Sequence, residues 1–265
     1  MAGFNLTEVK IINSKLSTEA TTPGEPHDVV WTPQKAERFW NYFSSDPLFS
    51  DQYFSNHSGA LLLEYLSTLV KFEGRVLDYG CGRGYLVGHL LRRGIACEAL
   101  DFSPASIKLV RDQFEQHALF RGAIVATEVP TPLPEKSMDI VLSVEMVEHL
   151  FDQHLEPTFA EFHRLLRPGG TLIVTTPNDE DLDASRVLCP DCGARFHQYQ
   201  HLRRWTAESL RQALEPHGFE TITCHATLIA PKPRGHRVRE LLRQLRRLPT
   251  RPQPHLIYIG RSIGA

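Results

Sequence analysis

The chain has 265 residues, of which 42% are hydrophobic and 23% are charged. These proportions are typical of a globular protein and exclude a disordered or fibrous chain. The net charge of −2 gives no global attraction to nucleic acid or to an anionic membrane. No apolar run reaches the ~18 residues of a transmembrane helix, and residues 1–15 lack the apolar core of a signal peptide. The five cysteines are odd in number and sparse, so we expect a cytoplasmic chain with reduced thiols.

The first part of the chain predicts a leader and a helical cap. Residues 1–30 are polar and predict a loose leader. Two helices are expected next, one from Pro33 and one over Gly59–Phe72, because apolar residues recur at helical spacing in both. Together they predict an N-terminal helical cap over residues 31–72.

From residue 73 onwards short β-rich runs alternate with helical runs, which predicts βαβ units around a parallel sheet. The turn Pro168-Gly169-Gly170 is expected to stop a helix before the fifth strand. Thr206 predicts the N-cap of a later helix that runs to Leu214. The predicted strands are 75–79, 95–100, 123–126, 138–144 and 171–175, and the predicted helices are 85–93, 104–117 and 159–166.

The last two predicted strands, Phe219–Leu228 and His255–Arg261, have no ordinary helical crossover between them. One of the pair is therefore expected to run antiparallel at the edge of the sheet. With the five parallel strands, this pair gives a seven-stranded α/β sheet.

The most informative segment takes a strand through three glycines directly into a helix: VLDYGCGRGY, residues 76–85. Glycines there let a ligand approach the backbone, and the helix start offers free N–H groups to an anion. The dinucleotide fingerprint requires a further Gly or Ala where this chain has Tyr85 or Val87, so that hypothesis fails. Asp101 ends the next strand, where a carboxylate can accept hydrogen bonds from a ribose. The expected ligand carries a ribose and a small anionic group but needs no pyrophosphate.

Five features in register resemble the class I S-adenosylmethionine-dependent methyltransferases, and the ubiquinone-type group among them. They are the D-x-G-x-G-x-G turn from Asp78, the strand that ends at Asp101, and segments 132–141, 145–150 and 167–178. The resemblance covers about residues 60–230 and the last strand. It implies a Rossmann-like seven-stranded sheet in the order 3-2-1-4-5-7-6, flanked by helices, with S-adenosylmethionine lying across the C-terminal ends of the strands.

The resemblance also implies which residues hold the donor. Asp78 and the three glycines would lie at its methionine end, Asp101 at its ribose, and residues 102, 127 and 128 beside its adenine. The implied donor site is Asp78, Gly80, Cys81, Gly82, Gly84, Tyr85, Asp101, Phe102, Thr127, Glu128 and Val144.

The acceptor side is predicted just after the strand that ends at Val144. Methyl transfer requires alignment of the two partners and, for a hydroxyl or amine acceptor, removal of a proton. If a helix starts there, Glu145, Glu148 and His149 share one face. His149 is the candidate general base, because imidazole titrates near neutral pH. The alternative is that Glu148 and His149 only cap a helix and shape the pocket.

The same triplet resembles two branches of the methyltransferase family. Ubiquinone-type O-methyltransferases have a closely similar Glu-x-x-Glu-His segment after the fourth strand. In the small-RNA 3′-terminal 2′-O-methyltransferases, two glutamates, the adjoining histidine and a later histidine bind a divalent metal. His201, shortly before Trp205-Thr206, matches that later position.

No RNA-end-binding domain is recognisable in the chain. The predicted acceptor is therefore an oxygen or nitrogen of a small molecule or of a lipid- or saccharide-linked group, with RNA methylation as the alternative. A non-catalytic interaction module that kept the cofactor fold is a second alternative, against which the intact glycines and Asp101 argue.

A cysteine–histidine insert over residues 178–205 predicts a zinc site. A Cys-x₂-Cys pair with a turn glycine, followed by two histidines, can form a tetrahedral site that orders the loop. A redox-sensitive thiol pair and an insert without metal are the alternatives, and the zinc would be catalytic if one position stayed open. His201 cannot serve both this zinc and a metal bound at the Glu145 triplet. We favour zinc with the two cysteines, because thiolates prefer zinc to magnesium. The predicted ligands are Cys189, Cys192, His197 and His201.

Residues 231–252 form a basic segment, with eight Lys and Arg residues against a single Glu. Val238, Leu241, Leu242, Leu245 and Leu248 recur at helical spacing, so the segment predicts a basic amphipathic helical insertion. It is expected either to pack on the sheet, to lie peripherally on an anionic membrane, to bind nucleic acid or to cover the enzyme's own pocket. No aromatic residue lies between the arginines, which disfavours single-stranded nucleic acid.

Overall fold

The computed structural model describes residues 24–231 and 253–264. Its strands are β1 (His27–Asp28), β2 (Val76–Tyr79), β3 (Cys97–Asp101), β4 (Phe120–Val125), β5 (Met138–Val144), β6 (Leu166–Pro177), β7 (Arg186–Leu188), β8 (Ala194–His197), β9 (Phe219–Thr227) and β10 (His255–Ser262).

The centre of the molecule is a seven-stranded sheet in the order β4-β3-β2-β5-β6-β10-β9. If these seven strands are renumbered along the chain, the order is 3-2-1-4-5-7-6, which confirms the predicted Rossmann-like α/β fold. β10 runs antiparallel to both β6 and β9. The expected antiparallel strand is therefore present, but it lies inside the sheet, and β9 forms the edge.

Helices cover both faces of this sheet. They are α1 (Pro33–Ser45), α2 (Phe54–Leu66), α3 (Tyr85–Arg92), α4 (Pro104–Phe114), α5 (Asp152–Leu165) and α6 (Ala207–Leu214).

Two apolar clusters form the core, one on each side of the sheet. Leu62, Leu63 and Leu66 of α2 are fully buried in the same cluster as α3, while α5 and α6 pack in the other. α2 begins at Phe54, earlier than predicted. The prediction started too late because the first turn, Ser55-Asn56-His57, is polar and shows no apolar periodicity. Thr206 is the N-cap of α6, as the sequence predicts. Its hydroxyl accepts from the Ser209 backbone N–H, and the Ser209 side chain accepts from the Thr206 backbone N–H.

The predicted loose leader is partly ordered. Residues His27–Asp28 form β1, which pairs in parallel with Ala194–Arg195 of β8. β8 also pairs with β7, so a second sheet has the order β1-β8-β7. Asp28 forms ion pairs with Arg186 and Arg195, and a two-residue strand has no periodicity from which it could have been predicted.

The turn Pro168-Gly169-Gly170 does follow the end of a helix, since α5 ends at Leu165. These residues form an irregularity inside β6 rather than a separate loop. Met138 pairs with Leu166, but Ile140, two residues on, already pairs with Thr171. The extra residues of β6 are taken up as a bulge, with Gly169 at φ +79°.

Among the helices of residues 24–231 and 253–264, none combines the length and the apolar character that a transmembrane span requires. The predicted basic insertion, 231–252, lies outside the described residues except for Pro231.

The third glycine of the turn allows α3 and α4 to approach closely. A Cβ on Gly84 (φ +79°) would lie 2.7 Å from Val110 Cγ2, whereas a Cβ on Gly94 (φ +75°) would meet nothing within 4 Å. Both Gly84→Ala and Gly94→Ala should lose about 1–2 kcal/mol from the left-handed backbone. Gly84→Ala should lose about 1–3 kcal/mol more, because the methyl group overpacks against Val110. Urea unfolding of both variants measures the difference, and equal losses would show that the close approach is not a constraint.

Candidate active site

The glycine turn is fastened to the neighbouring strand β3. The backbone N–H groups of Gly80 and Cys81 both donate to the Leu100 carbonyl oxygen, at 2.8 and 3.0 Å. Gly80 (φ +85°) and Gly82 (φ +50°) have left-handed backbones that favour glycine. The turn therefore has a fixed position at the C-terminal ends of β2 and β3.

The three glycines face different neighbours. A Cβ on Gly80 would lie 2.6 Å from Met146 Cγ, and one on Gly82 would lie 3.1 Å from Tyr53 Cε1. Gly84 faces Val110 and α4 instead. Gly84 is therefore also a packing position before α3, whereas Gly80 and Gly82 face Met146 and Tyr53.

Two buried carboxylates lie at this turn. Asp78 is 2% exposed, and its Oδ2 has no hydrogen-bond partner among the residues that the structure describes. Burial, and then the charge of Asp101, raise the pKa of Asp78 to about 8. Asp101 Oδ2 accepts from the Gly82 N–H at 2.8 Å, and Oδ1 accepts from the Ser103 N–H at 2.9 Å.

The residues expected beside the adenine lie at the same end of the sheet. The Ala126 N–H donates to the Asp101 carbonyl oxygen at 3.0 Å, which places the exposed residues Thr127 and Glu128 next to Asp101. Phe102 is exposed too, with 39% of its surface accessible. The structure thus gathers these three residues around one strand end.

The remaining predicted donor residues are Cys81 in the turn, Tyr85 directly after it, and Val144 at the end of β5, the strand beside β2. Cys81 and Val144 are buried, and Tyr85 begins α3. Burial raises the pKa of the Cys81 thiol well above its ordinary value, so this cysteine is an apolar packing group at neutral pH.

These residues fit the methyl donor that the sequence implies. The buried Asp78 Oδ2, which has no hydrogen-bond partner in the part of the chain that the structure describes, suits an ammonium group. The Asp101 oxygens keep lone pairs for ribose hydroxyls, because each accepts one backbone hydrogen bond.

No α-helix starts at Glu145, so the shared helical face that Glu145, Glu148 and His149 would form in such a helix is absent. Glu145 has φ +50°, and its N–H still donates to the Thr175 carbonyl oxygen of β6, at 3.0 Å. Because the strand pairing continues through Glu145, the chain turns only afterwards, in a 3₁₀ turn over Val147–His149. α5 starts later, at Asp152.

The structure nonetheless brings Glu148 and His149 together with His201. Glu148 Oε1 lies 3.7 Å from His149 Nε2 and 4.0 Å from His201 Nε2. The ligand atoms of these three residues all lie within 4.8 Å of one another. Glu148 Oε2 accepts from Thr176 Oγ1 at 2.9 Å, while Oε1 has no hydrogen-bond partner among the described residues. We call Glu148, His149 and His201 the acceptor cluster.

Burial controls the charge of this cluster. It raises the pKa of Glu148 well above its ordinary value, with Glu145 adding to the effect. Burial and the neighbouring His201 lower the pKa of His149, and burial also lowers the pKa of His201. Both imidazoles are therefore neutral at pH 7, each with one lone pair available. Glu145, whose pKa burial raises to about 7, accepts from Thr175 Oγ1 at 2.9 Å.

The helical cap closes over His149. The Trp40 ring lies 4.8 Å from the His149 ring, edge to face, and Trp40 Nε1 donates to Gln200 Oε1 at 2.7 Å. Gln200 Nε2 in turn donates to the His149 carbonyl oxygen at 3.2 Å. The N-terminal helix and the insert therefore position the acceptor cluster from two sides.

Glu180 is a site residue that the sequence analysis missed. It forms a second cluster with His197 and His201, whose ligand atoms also lie within 4.8 Å of one another. Burial alone would raise the pKa of Glu180, but interactions with His197 and His201 outweigh it and lower the pKa to about 2. The residue stands in a loop without a motif, so only its proximity in the fold reveals it.

The four predicted zinc ligands are not brought together. Cys189 lies at the tip of the β7–β8 hairpin, where its N–H donates to the Ala194 carbonyl oxygen at 2.8 Å. His197 pairs with Arg186 at the other end, which is about 10 Å along the strand for three residues. His201 belongs to the acceptor cluster instead. Cys189 and Cys192 therefore have neither histidine beside them, which corrects the predicted Cys₂His₂ site.

Comparison with known proteins agrees with this arrangement. A family model described as a methyltransferase domain matches residues 52–224. A probable S-adenosylmethionine-dependent methyltransferase of Mycolicibacterium smegmatis is 33% identical over 148 residues, which are 55% of this chain and 51% of that protein. A ubiquinone biosynthesis O-methyltransferase of Xanthomonas euvesicatoria is 36% identical over 124 residues, which are 44% of this chain and 48% of that protein. The chain thus spans about half the length of the curated relatives it matches.

Solved structures share the fold. A methyltransferase from Archaeoglobus fulgidus, described as S-adenosylmethionine-dependent, superposes with a TM-score of 0.57 at 21% identity, over 81% of this chain and 98% of that one. The match of the family model covers most of the chain, and the sheet has the strand order of the class. The chain belongs to the methyltransferase domain family and has the class I S-adenosylmethionine-dependent methyltransferase fold.

Proposed function

We propose that this protein transfers the methyl group of S-adenosylmethionine to an oxygen or nitrogen of a small-molecule or lipid- or saccharide-linked acceptor. One contact carries the proposal. Met146, which packs against Gly80 of the donor turn, lies in the chain directly between Glu145 and the 3₁₀ turn that holds Glu148 and His149. The donor turn therefore contacts the segment that carries Glu148 and His149, which supports an in-line transfer between them.

On the donor side, the chain supplies charge and shape. Asp78 would face the ammonium group, Gly80 and Gly82 would leave room for the methionine portion, and Asp101 would hold the ribose. When bound, the donor supplies an electrophilic methyl group on a positively charged sulfur, whose departure as a neutral thioether needs no acid catalyst. The protein therefore acts mainly by orienting the two partners.

On the acceptor side, the neutral Nε2 atoms of His149 and His201 and the unpartnered Glu148 Oε1 face one another. Such a set can take a proton from the acceptor hydroxyl or amine, with His149 as the base and the Glu145 and Glu148 carboxyls beside it. The same two imidazoles and one carboxylate also fit a divalent cation. A cation bound there would lower the pKa of a coordinated hydroxyl, so that a weaker base suffices.

Aromatic side chains near the acceptor cluster support an organic acceptor. Trp31 packs edge to face against Phe39 and Phe196, at 5.6 and 6.1 Å between ring centroids. Trp40 continues this wall to His149. Two relatives are named as a ubiquinone biosynthesis O-methyltransferase and a malonyl-[acyl-carrier protein] O-methyltransferase, names that indicate oxygen acceptors. Peripheral contact with an anionic membrane through residues 231–252 remains part of the proposal.

RNA methylation is the second candidate, because Glu148, His149 and His201, three of the four ligands that the small-RNA branch implies, lie together. An RNA substrate predicts an affinity that falls steeply as salt is raised, since phosphate contacts release counterions. Fluorescence anisotropy with a short RNA at two salt concentrations measures this. Binding that is absent or independent of salt would remove the candidate.

Donor binding should release protons at pH 7. Asp78, with a pKa of about 8, is largely protonated in the free protein, and a positive ammonium group beside it favours the ionised form. We expect a release of about one proton per donor molecule at pH 7, and much less at pH 9, where Asp78 is already ionised. Calorimetry with S-adenosylhomocysteine in two buffers of different ionisation enthalpy measures the release.

Asp78→Asn should abolish the proton release and weaken binding, whereas Asp183→Asn, at an exposed position, should resemble the wild type. An equal release from the wild type and Asp78→Asn would show that Asp78 does not face the ammonium group.

His149→Ala should lower kcat by at least ~100-fold, because it removes a group that takes the acceptor's proton or helps to hold a cation. The affinity for S-adenosylhomocysteine should stay within about twofold of the wild type, since His149 lies on the acceptor side. His163→Ala serves as the control, because that ring bonds to the Ile263 carbonyl oxygen near the C-terminal end of β10.

Assays with a chelator and with added Mg²⁺, Mn²⁺ or Zn²⁺ distinguish proton removal by His149 alone from proton removal assisted by a bound cation. Activity that a chelator abolishes and a cation restores indicates metal assistance, and activity indifferent to both indicates an unaided base. Full activity of His149→Ala would remove this residue from the mechanism.

A further inference from the structure

His201 lies between two carboxylates, one at each ring nitrogen. Its Nδ1 is 2.5 Å from Glu180 Oε2, and its Nε2 is 4.0 Å from Glu148 Oε1. The short distance is that of a hydrogen bond and the long one is not. A neutral imidazole has one N–H and one lone pair, so Glu180 receives the N–H and the lone pair faces Glu148.

His197 lies beside the other carboxylate oxygen of Glu180. His197 Nδ1 accepts the backbone N–H groups of Tyr199 and His201, at 3.3 and 3.2 Å. Its proton must therefore sit on Nε2, which lies 3.3 Å from Glu180 Oε1. The rings of His197 and His201 stack at 4.3 Å with 20° between their planes. Glu180 thus pairs with His201 Nδ1 and lies beside the His197 ring, whose Nε2 makes no hydrogen bond among the described residues.

His149, the other imidazole of the acceptor cluster, also turns its Nε2 toward Glu148, but a different group accepts from its Nδ1. His149 Nδ1 lies 3.5 Å from the Gln200 carbonyl oxygen, so its Nε2 also points toward Glu148. A backbone carbonyl orients His149, whereas the Glu180 side chain orients His201. Of the two, only the His201 partner can be changed by substitution without altering the backbone.

We propose that Glu180 is a positioning residue that holds His201 in its Nδ1–H tautomer, so that the Nε2 lone pair is presented to the acceptor cluster. The proposal rests on the proposed function of that cluster, and it holds whether the lone pair meets a proton or a cation. Carboxylates that orient a histidine in this way typically affect cation affinity or activity by about 10–100-fold.

The tautomer can be observed directly. Long-range ¹H–¹⁵N spectra of protein labelled at histidine distinguish a protonated Nδ1 from a protonated Nε2, and a His201→Gln variant assigns the His201 signal. We expect the Nδ1–H form in the wild type and a mixture of both forms in Glu180→Gln. In a parallel titration with Co²⁺, Glu180→Gln should bind about 10–100-fold more weakly than the wild type.

Three controls make the result specific. Glu208→Gln changes an exposed carboxylate that pairs with Arg211 on α6 and should leave the spectrum and the titration unchanged. Unchanged binding of S-adenosylhomocysteine by Glu180→Gln shows that the fold and the donor site are intact. Cys189→Ser/Cys192→Ser should retain Co²⁺ binding, because the thiols lie away from the cluster. If Glu180→Gln does not fold, Glu180→Asp should show an intermediate tautomer ratio.

An Nε2–H tautomer of His201 in the wild type would overturn the proposal, as would a Glu180→Gln variant whose spectrum equals that of the wild type. The spectrum is recorded without donor, acceptor or metal. Failure of the protein to transfer methyl groups would therefore contradict the proposed function and leave the role of Glu180 to be decided by the tautomer alone.

Discussion

Two carboxylates buried side by side at adjacent strand ends are the constraint on which the donor side of this molecule depends. Asp78 and Asp101 are 2% and 6% exposed, and the backbone N–H groups of Gly82 and Ser103 satisfy only Asp101. Burying an unpaired carboxyl costs free energy unless a partner of opposite charge or a donor group arrives. The left-handed glycines and the bonds of the turn to Leu100 hold this arrangement open to such a partner.

The sequence predicts the parallel half of the sheet well, because its signals are local. Met138–Val144 is mostly apolar and matches β5 to the residue. The step from Asp78 through the glycines into α3 needs only neighbouring residues. The sequence does not predict β1 or the bulge in β6. β1 exists because two residues pair with the distant strand β8, and the bulge in β6 exists because of its register against β5. Register of this kind leaves no periodicity in the chain.

The acceptor cluster shows the same limit at the level of side chains. The spacing of Glu145, Glu148 and His149 suggested one helical face, yet the pairing of Glu145 with Thr175 prevents the helix. Spacing also placed Cys189 with His197, whereas the two lie at opposite ends of a hairpin. The assembly of His201 with Glu148 and Glu180 is made by loops from three places in the chain. The residue types in the sequence indicated acid–base or metal chemistry, but only the fold determines which of these side chains lie together.

At Glu145 the backbone conformation favours glycine, whereas the proposed function needs the carboxyl group of the side chain. A non-glycine residue at φ +50° is held in a conformation that costs about 1–2 kcal/mol, and it persists because Thr175 and the end of β5 hold the residue in place. Glycine would relax that backbone and remove the carboxyl group at the same time. Selection for heat resistance alone would therefore favour glycine here. A thermostabilised descendant that keeps its glutamate would be consistent with the proton-transfer role proposed for this carboxyl group.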